Sequence, residues 1–555
     1  MKLVKSLILG SAAGLIAMGG AQAADLPVKA KAVEYVKICS LYGAGFYYIP
    51  GTDTCIKLGG YLRVDMAVNA NAVFTSNYSA TTNQPGGFGN RFTDAFSWRS
   101  REDLNIDTRT ATEYGVVRTF FDATFTWTDD NYTANNNNIL GTSYSVLGQA
   151  ASGNAALVNA GNATSGGVAT GALGVYYAFI QFAGFTIGKA ISPFSAPWTA
   201  YPGNNYDALV GGGGTVTGVN QFVYTAQFGN GVSGTIGFQD PTQYYQAGIL
   251  NFGGGGASAA AGTNGLGVND TGGNNFPDVL GNINVTQAWG MAQLSVAAHD
   301  NRAAYYANAT QAAPAPAGGT TNVPVGSDLF SGHPDDKWGF AVQGALSIAN
   351  IPTGAGDTIN AQAVYTNGAT RYNIQDLASG AGAWTTFAGS NVGGTLGKVG
   401  IGIAPDSVFG FGGQQQLIST WGGRGAFNHN WNPYWSTSVY GAYANVSYGS
   451  ATVGGTNAAS LFCTSFTANW NTGAKIAAGG GVTNCNPNYS VTQIGAITRW
   501  TPVKNLTFSA EYVYSHLQQN MTGTLAGLGG SYGTGNYVLG NQDTHQVLLR
   551  AQRNW

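Results

Sequence analysis

The side chains of this 555-residue chain that could do chemistry are guanidiniums and carboxylates, and they recur at alternate positions. Arg63 and Asp65 form one set, Arg99, Arg101, Asp103, Asp107 and Arg109 a second, and Arg118 and Asp122 a third. Arg499, Glu511 and Arg550 stand towards the other end, and Asp207 is the single carboxylate in 191–219. Such groups make no catalytic set. Nucleophilic hydrolysis needs a nucleophile, a base and an orienting group together. His299, His333, His429, His516 and His545 are scattered singly, with no serine motif beside any of them. There is no CxxC and no cluster of metal-ligand spacing, so neither an enzyme nor a cofactor is expected. No basic stripe suits nucleic acid. What interleaved charges on a wall can do is electrostatic. Arginines facing carboxylates across water set a transverse field that orients a polar solute and disfavours an apolar one.

Placing alternate residues on one wall requires strands, because a period of two puts them on one face. In 56–68, Ile56, Leu58, Leu62, Val64, Met66 and Val68 share one face, and Lys57, Tyr61, Arg63 and Asp65 the other. In the next run Phe96, Trp98, Leu104 and Ile106 oppose the Arg99 series. In the third, Val117, Phe121, Phe125 and Trp127 oppose Arg118 and Asp122. Comparable stretches follow at 175–183, 184–190, 220–228, 232–240, 281–289, 291–300, 337–349, 357–367, 415–430, 434–448, 490–500, 505–518 and 542–555, which makes sixteen. Two fit poorly: 415–430 is ambiguous, and Lys189 falls on the apolar face. The connections alternate between short ones, such as Ala183-Gly184 and Gly229-Asn230-Gly231, and long ones, such as 129–174 and 368–414. An even strand number with loops sorted by length implies a sixteen-stranded antiparallel transmembrane β-barrel, with short periplasmic turns and long external loops. Its lumen is too wide for side chains to fill and stays aqueous. Trp98, Trp127, Trp289, Trp338, Trp435 and Trp500 near strand ends suit the two membrane interfaces.

Composition agrees. Only 9% of residues are charged, against about 25% in a globular domain, while aromatics reach 12% and glycines number 84. A wall with one apolar and one uncharged polar face has these proportions. The chain opens with Lys2 and Lys5, an apolar stretch from Leu7 to Met18 and Ala21-Gln22-Ala23, so residues 1–23 read as a cleaved signal peptide. Beyond it no run of about 20 apolar residues forms a transmembrane helix. Losing two lysines takes the net charge from −2 to −4, which leans towards cations. Four cysteines in an oxidising compartment suggest two bridges; the sequence-near pairing is Cys39–Cys55 and Cys463–Cys485. The expected organisation is a periplasmic segment over 24–55 holding the first bridge, then the barrel over 56–555.

Several of these stretches resemble the general outer-membrane porins of alphaproteobacteria of the rhizobial and Brucella type. The resemblance lies in Ala23-Ala24-Asp25-Leu26-Pro27, in Val33-Glu34-Tyr35-Val36-Lys37 through Cys39 and Cys55 to Ile56-Lys57-Leu58-Gly59-Gly60-Tyr61-Leu62-Arg63, and in Pro277-Asp278-Val279. It continues in Gln287-Ala288-Trp289-Gly290, Asp335-Asp336-Lys337-Trp338-Gly339 and Arg550-Ala551-Gln552-Arg553-Asn554. It implies a homotrimer in the bacterial outer membrane, set in the lipid bilayer with its outer-leaflet lipopolysaccharide. It also implies passive diffusion of small hydrophilic solutes and ions, and a third long loop, 191–219, folded into the lumen. Trp555 after an alternating strand resembles the signal read by the barrel-assembly machinery. One departure is Gly188-Lys189-Ala190-Ile191-Ser192-Pro193-Phe194, where the family tends to place Gly-Arg and an acidic, Phe-rich stretch. Selectivity is therefore left to this chain's own residues: the charges above as pore lining and constriction. The alternative is a substrate-specific channel, for sugars or oligopeptides, which would need an aromatic slide; the inward aromatics Tyr61, Tyr177 and Phe179 are too few to argue for one. A repetitive secreted adhesin would show a short fixed repeat, and none is visible.

Overall fold

The computed structural model describes residues 37–68, 96–128, 171–198, 203–206, 209–212, 218–242, 244–253, 265–306, 332–374, 385–388, 397–527 and 535–555. The chain divides into a small unit up to Ile56 and a large one from Lys57. In the small unit the Cys39–Cys55 disulfide, with Cα atoms 6.1 Å apart, joins Phe46 in a compact core against which Tyr42 and Tyr48 pack. Tyr47 and Tyr48 pair antiparallel with Ile56 and Cys55.

The large unit is a closed antiparallel barrel of sixteen strands. In chain order these are β1 (Thr54–Val68), β2 (Phe96–Thr112), β3 (Gly115–Thr128), β4 (Gly171–Phe182), β5 (Phe185–Ala190), β6 (Val219–Gly229), β7 (Val232–Gln239) and β8 (Asp278–Gln287). Then come β9 (Gly290–Asn301), β10 (Lys337–Ala349), β11 (Thr358–Asn367), β12 (Ser419–Asn432), β13 (Trp435–Ser447), β14 (Tyr489–Val503), β15 (Leu506–Gln519) and β16 (Gln542–Asn554). Each strand pairs with its sequence neighbours, and β1 closes on β16 with Asp65 opposite Arg550. Closure leaves no free edge, which a membrane requires because lipid cannot satisfy backbone N–H and C=O groups. All sixteen stretches expected from alternation are strands. The ambiguous 415–430 resolves into β12 plus a two-residue loop strand, Gln416–Leu417.

The short turns show why their residues were needed. Ala183-Gly184 and Asn230-Gly231 both carry positive φ at two successive positions, as in the type I′ turn whose twist matches paired strands. A Cβ on Gly231 would sit 1.8 Å from the Thr286 carbonyl oxygen. Outward positions are large and apolar, with Leu62, Phe121, Phe125, Ile180, Ile236, Ile283 and Leu294 among those exposed. So continuous an apolar belt suits lipid and not water. Trp98, Trp289, Trp338, Trp435 and Trp500 stand half-exposed among them; the side chain of Trp127 lies outside the described residues. Lys189 does face outward, and its Nζ donates to the Val175 carbonyl at 2.7 Å, so the long stem carries the charge along the wall to a polar partner.

Two features depart from a plain polar-lined barrel. First, the long connections build structure of their own. One small sheet combines Val268–Asn269, Ile249–Asn251, Ser407–Phe409 and Gln416–Leu417. Another combines Thr385–Ala388, Gly397–Gly402, Asn536–Leu539, Thr522–Ala526 and Gly481–Asn484. Helix α1 (Ala458–Trp470) is capped by Asn457, whose side chain accepts from Ser460 N, and the Cys463–Cys485 bridge fixes it. Second, the inner face of β12–β15 is partly apolar. Tyr440, Ala442, Val491, Val513 and Leu517 are buried in one cluster with Leu209 and Val210 of the 191–219 loop and Val399, Ile401 and Ile403 of the 368–414 connection. Each fully buried Val or Leu contributes about 1.5–3 kcal/mol relative to exposure. These faces are greasy because loops, not water, cover them.

Candidate functional site

The described parts of the 191–219 loop lie inside the barrel, held by inward side chains of β9, β10, β12, β14 and β15. Gln293 on β9 donates to the carbonyls of Pro193 and Ser195, and Gln343 on β10 to that of Phe194. Arg424 on β12 donates to the Leu209 carbonyl at 3.0 Å, while Val210 N donates to Gln493 on β14. Arg499 reaches the Gly203 carbonyl at 2.7 Å, and Asn205 N donates to Glu511 at 2.8 Å. Glu511 also accepts from the Tyr440 hydroxyl. Wall arginines are thus answered by backbone carbonyls of this loop. Asp207, its single carboxylate, lies outside the described residues.

Between the loop and the facing wall a cavity of about 830 Å³ remains open, bounded by β1–β4, β14, β16 and the loop's own residues 203–205. Lys57, Arg63, Arg101, Arg499 and Arg550 line it with Asp103, Asp107 and Asp122, five basic side chains against three carboxylates. The remaining expected charges divide by role. Asp65, with no exposed surface, accepts from Arg99 at 2.7 and 2.8 Å and from Arg550 at 2.5 Å. Arg99 is itself only 3% exposed. Asp107 is gripped by both Arg109 and Arg118, at 2.9 and 3.0 Å. Each of these two carboxylates therefore bridges two guanidiniums, an arrangement of charge-assisted bonds that fixes the arginines in place. Glu511 and Asp65 are buried anchors and touch no open space. Arg63 donates to Gln552 and Arg101 to Thr126. Trp555 also borders the cavity; its indole donates to Glu102 and its backbone N–H to Gly60.

Aromatic residues share this wall. Tyr61, Phe120, Tyr176 and Tyr177 all line the cavity. Phe120 stacks on Phe179 with ring centres 5.4 Å apart, and Arg118 lies over both rings. Arg63 lies 4.3 Å from the Tyr61 ring centre and Arg101 5.5 Å from that of Tyr176. Sequence reading overlooks Phe120 and Tyr176. Phe120 was legible, since it stands between Arg118 and Asp122 on the alternating inward face. Tyr176 was not: a β-bulge sets Asp122 opposite Tyr177 and Ala123 opposite Val175, which brings two consecutive tyrosines inward. Bulges re-aim side chains in this way.

Of the histidines, His299 is buried, its Nδ1 2.7 Å from Asp278 and its Nε2 3.5 Å from Asp406, and it joins barrel to loops. Burial pushes the nearby Tyr372 phenol up, which keeps it a donor to Asp278. Against the expectation of no serine motif, the sequence holds one Gly-x-Ser-x-Gly spacing, Gly529–Gly533; it adjoins no histidine in sequence and lies outside the described residues.

The profile of the porin subfamily matches residues 25–546. Porin Omp2b of Brucella suis biovar 1 is 32% identical over 292 residues, covering 52% of this chain and 63% of that protein. Porin Omp2b of Brucella melitensis biotype 1 is 32% identical over 290 residues, with the same coverage. The chain spans about 63% of the length of these curated relatives. The outer membrane channel DcaP of Acinetobacter baumannii has the same fold, with a TM-score of 0.50 at 13% identity, covering 92% of this chain and 99% of that one. A barrel closed strand by strand and a profile that runs nearly its whole length agree: this chain belongs to the porin subfamily and sits in the bacterial outer membrane.

Proposed function

We propose that the chain forms a water-filled channel through which small hydrophilic solutes and ions diffuse passively. The observation that carries this reading is the charged cavity left open between the 191–219 loop and the β1–β4 wall, inside a barrel whose outside is apolar. Arg63, Arg101, Arg499 and Arg550 are the lining cations of the constriction, with Asp103, Asp107 and Asp122 as their counter-charges. Arg99, Asp65, Arg109, Arg118 and Glu511 hold that lining and the loop in position. Because basic groups outnumber acidic ones at the cavity, the channel prefers anions, the opposite sign from the whole chain's net charge; charges at a constriction govern selectivity where distant ones are screened within about 8–10 Å. A homotrimer in contact with lipid and lipopolysaccharide, assembled through recognition of Trp555, follows the family resemblance.

Single-channel recording in planar bilayers tests this. Stepwise conductance in groups of three, with a reversal potential of anion-preferring sign in a potassium chloride gradient, is expected. Folded, inserted protein that conducts nothing overturns the channel, and a cation-preferring potential overturns the assignment of the lining.

A further inference from the structure

The aromatic side of the cavity is more than a passive part of the wall. We infer that it is a binding subsite for planar anionic solutes, aromatic carboxylates in chemical class, which the channel takes up in preference to aliphatic anions of the same size. This rests on the channel reading above and adds a solute class to it.

Three observations converge. The rings gather at one cavity: Phe120, Phe179 and Tyr177 on the paired strands β3 and β4 form a stack, with Phe120 5.4 Å from Phe179 and 6.2 Å from Tyr177, and Tyr61 on β1 and Tyr176 on β4 line the same space. Each cluster has a guanidinium over a ring face, Arg63 on Tyr61, Arg101 on Tyr176 and Arg118 on Phe120. The bulge in β4 turns Tyr176 inward beside Tyr177 where regular pleating would have sent it to lipid. Arginine is the side chain that both stacks on π faces and takes carboxylates in a planar fork. A flat anion can lay its ring on the aromatic wall and give its carboxylate to Arg63 or Arg101, which line the cavity, while Arg118, held by Asp107 and Gln181, only backs the Phe120 ring. An aliphatic anion gains only the charge contact. An aromatic cation gains the ring contact and is repelled by the lining, in which basic groups outnumber acidic ones.

The test uses benzoate and cyclohexanecarboxylate, equal in charge and close in size, as blockers of chloride current through the reconstituted full-length channel. Ring stacking is worth about 0.5–1.5 kcal/mol, so benzoate is expected to block at about two- to tenfold lower concentration. Phe120→Leu should erase that ratio while leaving cyclohexanecarboxylate block intact. Arg63→Gln should weaken block by both anions alike. Equal block by the two anions in the unsubstituted protein overturns the subsite, even if Phe120→Leu fails to fold, and so does a ratio that survives Phe120→Leu. Conductance with no discrimination leaves the diffusion channel standing; absence of any chloride current removes the channel reading itself.

Discussion

Replacing Asp65 by Asn probes the junction where β16 meets β1 and β2. Asp65 accepts three charge-assisted hydrogen bonds, two from Arg99 and one from Arg550, with no surface exposed to water. Each such bond is worth about 1.5–3 kcal/mol. Asn keeps one acceptor oxygen, but its amide nitrogen confronts a guanidinium, and the negative charge between two cations is gone. Removing one partner of a buried ion pair costs about 3–5 kcal/mol, and Asp65→Asn should fall in that range. Urea unfolding of the refolded protein, followed by tryptophan fluorescence, reads this out directly. Asp65→Asn with Arg99→Gln should recover part of the loss, since the double variant removes charge in balance; a coupling of at least about 1 kcal/mol is expected. A single-variant loss under about 1 kcal/mol, or strict additivity, would refute the idea that Asp65 is the electrostatic pin of the closure.

Further outcomes follow from particular contacts. Gly231→Ala places a methyl 1.8 Å from the Thr286 carbonyl oxygen in a left-handed turn, and should destabilise the barrel by about 1–3 kcal/mol in the same unfolding assay. Reducing Cys463–Cys485 opens a loop of 22 residues, worth about 3 kcal/mol of local restraint in the chain-entropy account, and should raise amide exchange in α1 while the barrel strands stay protected. The Asp357 carboxyl is held down to about 2, first by the Thr353 hydroxyl and then by Asn430 N and His429. Because that value lies below the ordinary one near 3.8, its contribution is complete above about pH 4 and is lost as pH falls towards 2. Thr353→Val should move the carboxyl titration upward in carbon NMR; an unchanged midpoint would show that the hydroxyl does not hold it.

How much of this was legible in the sequence depends on the length scale of each signal. Arg63, Asp65 and the Arg99 series announced their wall because alternation over a dozen residues has one simple reading. The strands Ile249–Asn251 and Ser407–Phe409 gave no such signal: at three residues each, they exist only because distant loops meet. The apolar inner face of β13 and β14 was hidden for a related reason. Alternation tells two faces apart but not what covers each, and Val491 or Ala442 looks the same facing lipid or a folded loop. The charges were found, but their division between water-facing lining and buried anchor was not, because it depends on pairing across strands. Asp65 and Asp103 have similar local sequence; only the neighbours Arg99 and Arg550 make the first a pin.

The seam between β1 and β16 also bears on how the molecule comes to be. Arg550 meets Asp65 across 485 residues of chain, and Asn205 meets Glu511 across 306. Closing such distances costs entropy before any contact repays it, and topologies dominated by remote pairing fold slowly. The 191–219 loop cannot find its Glu511, Arg499 and Arg550 partners until the strands that carry them are in place, although the loop itself is synthesised much earlier. Interior furnishing and wall closure are thus one late kinetic event, and until it happens the inner faces of β12–β15 stand greasy and uncovered.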